Sequence, residues 1–382
     1  PPMSAALHAP VYPVSGQLLS LLDLLSQFTA PEHMSRGISR FSDLHLKVGE
    51  PACFRYDGFL SPVAGGLSLT QEMVEALVLP LLREEQIALL RSHPPRDIDA
   101  SWEWTEKGAS FRLNVFTDRE GTAAVIRALP ATIPPVESVG FPDPSVWQDI
   151  CRLGQGLVLL TGNTGSGKST TIASLVQHIN QTRPLRIITL EDPIEYVFHS
   201  HASLFSQREL GRHIESFSGG LRSALREDPD IILVGEMRDR DTVSLALTAA
   251  ETGHLVFSTL HTRDTRGSIT RIIDMFPGDR AKEISVQLSM SLAYVVCQKL
   301  VRNQSGGRSV AMEILKNTPS IGNLIRSGAI QQINTQLETQ SKEGMISLES
   351  HLKVLLQSGE ISLAEAMENA NDPGALKLLL SR

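Results

Sequence analysis

Cysteine is scarce in this chain. Cys53, Cys151 and Cys297 are far apart and form no C-x-x-C pair, which excludes a zinc module of cysteine pairs, makes a disulfide scaffold an unexpected reading and fits a reducing cytosol. Long apolar runs are missing as well: none reaches the ~18 residues of a membrane-spanning helix. The N-terminus has no basic segment followed by an apolar core, so no signal peptide is expected, and Met3, behind Pro1 and Pro2, reads as the native start. Basic clusters are absent, since no Lys/Arg run exceeds two residues and the net charge is −7. That argues against a chain built mainly to hold nucleic acid, because counterion release needs clustered cations. What is present is ordinary for a soluble globular protein, 41% apolar and 20% charged, in 382 residues that call for two or three domains.

Residues 1–35 read as an N-terminal extension, Pro-rich at first and then, over 17–28, apolar enough to dock as a helix on a neighbour. Residues 36–128 predict a small α+β domain. Strands are expected at 43–49, 52–58, 102–104 and 110–117, and a helix over 70–90 with Thr70 as N-cap, broken at Pro80. Between 129 and 146, Pro130, Pro134, Pro135, Pro142 and Pro144 exclude a helix interior or a central strand and predict a stiff linker. Over 147–315 strands alternate with helices, the pattern of a parallel sheet covered on both faces. Its strands are expected at 156–161, 185–191, 231–235 and 254–260, with a further one at 308–315. Residues 316–382 read as helical, with turns at Gly344 and Gly359.

The most informative run is Gly162, Asn163, Thr164, Gly165, Ser166, Gly167, Lys168, Ser169, Thr170. It fits G-x-x-x-x-G-K-[ST], the phosphate-binding loop of nucleoside triphosphatases, between an apolar strand and a helix over 169–180. The glycines let backbone N–H groups turn toward phosphate oxygens at the positive end of a helix. Lys168 is placed to reach the β and γ phosphates of ATP, and Ser169 to ligate Mg²⁺. Hydrolysis also needs a positioned water and positive charge on the transition state. Glu191, with Asp192 and Glu195 around Pro193, puts carboxylates at a strand end where metal or water could be held, although a solvated loop would read the same way. The strand 231–235 lacks a terminal Asp and runs instead into Gly235-Glu236, where Glu236 suits a general base. His261 closes the strand 254–260 where a γ-phosphate could be sensed, whereas His254 at its opposite end reads as structural. Arg222 and Arg226 share a helix face, and Arg112 and Arg127 flank the end of the first domain. Arginine's planar fork suits phosphate, but surface salt bridges use the same residues.

Together these segments resemble the secretion ATPase superfamily, the hexameric motors of type II secretion, type IV secretion and type IV pili. The likeness is most specific in the phosphate loop, in an Asp box over 188–196, in the block 226–239 around Glu236, and in a His box over 252–262. Residues 249–254 and 271–277 are similar to the pilus retraction members, as is the opening Asp43-Leu44-His45-Leu46 with Gly49 and Pro51. The missing four-cysteine zinc motif also sets the chain apart from assembly ATPases. The resemblance implies an α/β fold: a RecA-like P-loop ATPase domain, a smaller N-terminal α+β domain of PAS-like type, and a helical C-terminal region. It implies ATP hydrolysis with Mg²⁺ held by Ser169, Glu191 and Glu236, and roles for Glu236, Glu191 and His261 at the γ-phosphate. Arg112 and Arg127 from the first domain, and Arg222 and Arg226 from the motor domain, become phosphate ligands. A cytoplasmic homohexamer is implied that drives pilin removal at an inner-membrane platform protein, alongside a paralogous motor, without zinc or nucleic acid. The alternatives are an ATPase energising type IV secretion or DNA uptake, or an accessory motor. One departure stands out: the family's Ala-Ile-Arg-Asn-Leu-Ile motif, needed for retraction, is Ser320-Ile321-Gly322-Asn323-Leu324-Ile325 here.

Overall fold

Two hydrophobic patterns in the sequence build two different sheets. The computed structural model describes residues 6–35, 38–129 and 132–381, and the chain divides into the units Pro1–Thr132 and Ile133–Arg382.

The first unit is organised by alternation. Its strands are β1 (Phe41–Lys47), β2 (Cys53–Tyr56), β3 (Phe59–Pro62), β4 (Ile98–Trp104), β5 (Ala109–Thr117) and β6 (Thr122–Leu129), in the order β3-β2-β1-β6-β5-β4. All pairings are antiparallel. Along β5, Ala109, Phe111, Leu113 and Val115 are buried while Ser110, Arg112, Asn114 and Phe116 are half-buried, the period-2 signature of a sheet with one face in the core. Helix Gln71–Val78 ends at the 3₁₀ turn Leu79–Leu81 that contains Pro80, and helix Glu84–Leu90 follows.

The expected helix over 17–28 is shorter. Gln17–Leu19 is a strand paired with Tyr12–Val14 across Ser15 and Gly16, both at positive φ (48° and 83°), the backbone of a tight hairpin turn. Only Leu21–Ser26 is helical, started by a capping box in which the Ser20 amide donates to Asp23 (2.8 Å) and the Asp23 amide to Ser20 Oγ (3.2 Å). Leu21, Leu22, Leu24, Leu25 and Phe28 join the core under the sheet, together with Val74, Leu77 and Phe111.

The second unit is organised by continuous apolar runs. Its sheet contains β7 (Gly156–Thr161), β8 (Arg186–Glu191), β9 (Leu204–Glu209), β10 (Ile231–Val234), β11 (Leu255–Leu260), β12 (Leu292–Arg302) and β13 (Arg308–Lys316), in the order β9-β8-β10-β11-β7-β12-β13. Every pair is parallel except β12 with β13. β7 and β11 bury all their residues, and separate apolar clusters cover the two faces. β9 and β12 are strands additional to those expected. Of the proline-rich segment, Pro130 lies outside the described residues. From Ile133 on the chain belongs to the second unit: Val136 and Val139 are buried in its core, and Pro144 opens helix Pro144–Arg152 at the position where a missing N–H is harmless. After Thr318 come helices Pro319–Ser327, Ile333–Thr339, Leu348–Gln357, Leu363–Asn369 and Pro373–Leu380. No described helix is long and apolar enough to cross a membrane.

Candidate active site

The phosphate loop follows β7, an interior strand of the sheet. Gly162, Gly165 and Gly167 have φ of 135°, 78° and 88°, a left-handed backbone that L side chains resist. Asn163, Thr164 and Gly165 are exposed, and Gly167 starts helix Lys168–Thr182. The Lys168 ammonium is buried and donates to the carbonyls of Gly162 (2.9 Å) and Asn163 (3.0 Å), which bends it back over the loop. Burial lowers its pKa, opposed by the nearby Glu195. Ser169 is half-buried, and Thr170 Oγ1 shares a 2.8 Å hydrogen bond with the Tyr196 hydroxyl.

The acids stand on neighbouring strand ends. Glu191 ends β8 and is buried; its Oε1 accepts from Thr189 Oγ1 (2.6 Å) and Gln207 Nε2 (2.9 Å). Burial pushes this carboxyl up from its usual range, while the two donors pull against that. Glu236 follows β10 across Gly235, whose amide donates to Leu190 O (2.7 Å) and whose carbonyl accepts from Thr259 Oγ1 (2.6 Å). A Cβ at Gly235 would come within 3.1 Å of Leu190 O, so glycine lets the strands close here. Glu236 Oε2 lies 3.4 Å from His261 Nε2, just past β11, and Glu236 Oε1 pairs with Arg238 Nε. The second reach of Arg238 is to Asp192, at 4.0 Å. His261 is half exposed; burial of its remainder lowers its pKa, and the cations of Lys168 and Arg238 act in the same direction.

Glu191, Glu236, His261 and the loop with Lys168 thus stand at the C-terminal ends of four adjacent strands, β8, β10, β11 and β7, where open α/β sheets hold ligands. The two arginine pairs are placed differently. Arg222 lies in helix Phe217–Ala224 and Arg226 just after it, both exposed, with the length of β10 between them and Glu236; neither forms an ion pair among the described residues. Arg112 and Arg127 belong to the first unit, as direct cross-strand neighbours on β5 and β6. Arg127 Nε donates 2.7 Å to Asp43 on β1, itself opposite Arg127 in the ladder. Residues not singled out in the sequence also take part: Arg238, Thr189, Gln207 and Tyr196.

Among the described residues no group of three or more His, Cys, Asp or Glu side chains could hold a metal ion. Ser169, half-buried in the first turn of helix Lys168–Thr182, fits the way Mg²⁺ is held by few protein ligands rather than by a dedicated cage. A phosphate loop with acids and a histidine on the adjoining strand ends defines the class, a P-loop nucleoside triphosphatase.

The family model described as type II/IV secretion system protein matches residues 37–367. The chain is 42% identical over 333 residues to the type IV pilus retraction ATPase PilT of Pseudomonas aeruginosa, covering 87% of this chain and 95% of that one. It is 43% identical over 305 residues to a twitching motility protein of Neisseria gonorrhoeae, 80% of each chain. A crystal structure of the pilus retraction motor PilT with bound ADP superposes with a TM-score of 0.83 at 40% identity, over 94% of this chain and 99% of that one. The chain belongs to the type II/IV secretion system protein family and, within it, to the pilus retraction ATPases.

Proposed function

We propose that this ATPase works as a homohexameric ring on the cytoplasmic side of an inner membrane, where it pulls pilin from a type IV pilus through a platform protein. ATP lies in the loop, with Lys168 on its β and γ phosphates. Ser169, with Glu191 or Glu236, would hold Mg²⁺, which supplies charge neutralisation at the β and γ oxygens. Glu236, oriented by Arg238 and His261, takes the proton of the attacking water. Neutral His261 donates to the γ-phosphate and registers its loss. Arg112, Arg127, Arg222 and Arg226 supply positive charge. The observation that carries this reading is the 3.4 Å pairing of Glu236 with His261 one strand away from the phosphate loop. Glu236→Gln should retain ATP binding and lose turnover by about 10²–10⁴-fold, the range for a lost general base. ATP hydrolysis and native mass of the assembled ring check it; near wild-type turnover removes Glu236 from the role.

Gly322 favours a second reading, an accessory motor or a secretion client. It stands where the retraction motif has arginine, and a Cβ there would lie 3.2 Å from the Ser289 carbonyl, so the helices meet too closely for a long side chain without a shift. Deleting the gene separates the two: hyperpiliation with lost twitching marks the principal retraction motor, and unchanged piliation marks the other.

A further inference from the structure

Gln298 touches none of the acids, yet the phosphate loop is moulded on it. It is fully buried on β12, one residue beyond Cys297, which pairs with Thr161, so it stands where β7 turns into the loop. Its Nε2 donates 2.7 Å to the carbonyl of Ser166. Its main chain meets the other end of the loop: a Cβ on Gly162 would lie 2.3 Å from Gln298 O, and one on Gly167 would lie 3.0 Å from Gln298 Nε2. One residue therefore sets the closest approach at Gly162, Ser166 and Gly167.

Val295, Val296 and Cys297, which precede Gln298 on β12, are all buried, and Lys299 after it is half-buried. A primary amide on such a strand is desolvated and costs stability unless it is hydrogen-bonded. Its N–H is used on the loop; its Oε1 and the Ser166 hydroxyl are buried without a partner in the protein. One of these atoms is an acceptor and the other can donate, and Ser166 Oγ lies beside Gly162, 2.7 Å from where its Cβ would be. One hydrogen bond from the Ser166 hydroxyl to Gln298 Oε1 would satisfy both.

We propose that Gln298 is a positioning residue for the phosphate loop: its side-chain amide holds Ser166 and Gly167 so that the loop's N–H groups converge on phosphate, and its Oε1 is the buried acceptor available to the Ser166 hydroxyl. This rests on the loop being a nucleotide site. It assigns to β12, which supplies no residue to the chemistry, the support of the loop that does.

The test measures ADP binding to the full chain with a fluorescent analogue, melting with and without ADP, and ATP turnover. Gln298→Leu keeps the volume and removes both polar atoms. It should weaken ADP binding about tenfold, the size of one positioning hydrogen bond, raise KM for ATP in step, and leave the nucleotide-free melting temperature nearly unchanged. Gln298→Glu should bind ADP more tightly as pH falls, because a buried carboxyl that takes up a proton regains a donor for the Ser166 carbonyl, whereas wild-type affinity stays flat. This pH profile decides the matter even if Gln298→Leu does not fold. ADP binding by Gln298→Leu within twofold of wild type, or a flat profile for Gln298→Glu, overturns the proposal. Lys168→Ala is the control: if wild type and Lys168→Ala both fail to bind ADP, the nucleotide site itself is refuted, a result distinct from tight binding by wild type and Gln298→Leu alike.

Discussion

The two sheets solve the same problem in opposite ways. β5 buries alternate residues and shows the others, whereas β7 and β11 bury everything. A strand covered on both faces has no side to offer, so its chemistry moves to its ends, where the loop, Glu191, Glu236 and His261 are found. A strand with one open face can present a charge in mid-strand: Arg112 and Arg127 form a cross-strand row with Asp43. Like charges directly opposite repel, and the carboxylate of Asp43 offsets this pair. Position along a strand thus tracks what covers it.

The largest effect is expected in the doubly covered sheet. Leu159→Ala, in the middle of β7 and fully buried, should cost about 2–5 kcal/mol, read from denaturant unfolding of the second unit. A cost below ~1 kcal/mol would break the contrast with the N-terminal sheet.

Next comes a polar group inside the covering layer. His351, on helix Leu348–Gln357, is buried and accepts 2.8 Å from the Met312 amide through Nδ1. Burial lowers its pKa to about 4. The unfolded chain, with an imidazole pKa of ~6.5, takes up the proton first as pH falls. The folded state therefore loses stability from about pH 6.5 down to about pH 4, by roughly 3 kcal/mol in total, and is indifferent above that window. His351→Asn, which keeps an acceptor, should flatten the slope of stability between pH 7 and 5; an unchanged slope assigns it to other groups.

The smallest change in stability is expected on the open face. Arg127→Ala should move the melting free energy by about 1 kcal/mol or less, because the guanidinium is 60% exposed. ATP turnover should still fall at least about tenfold on the proposed role of Arg127 at phosphate. A large stability loss with intact turnover would make the row a structural device.

Much of this was legible in the sequence, and for a physical reason. β7, β8, β10 and β11 are short apolar runs that end in glycine, carboxylate or histidine, so run and chemistry punctuate each other. β12 carries no such mark: it continues from helix Gly278–Ser291 with no glycine or proline between them, and its apolar residues read equally as helix. Partners brought by sheet order were also hidden. Gln207 meets Glu191 because β9 pairs with β8 in register, which no spacing discloses. Arg238 was nearer to hand, two residues past Glu236, yet an arginine after a strand signals nothing until its carboxylate is known to lie beside it. Pro144 misled as a breaker because the same residue starts a helix as well as it stops one.

Gly235 ties three strands together. Its amide is fastened to β8 and its carbonyl to the Thr259 hydroxyl of β11, beyond the last ladder rung of β10. Three strand tips are laced through one residue that has no side chain to yield. Glu191, Glu236 and His261 therefore stand on strand tips that are tied together through a single glycine, so their spacing is set by backbone rather than by side-chain rotamers.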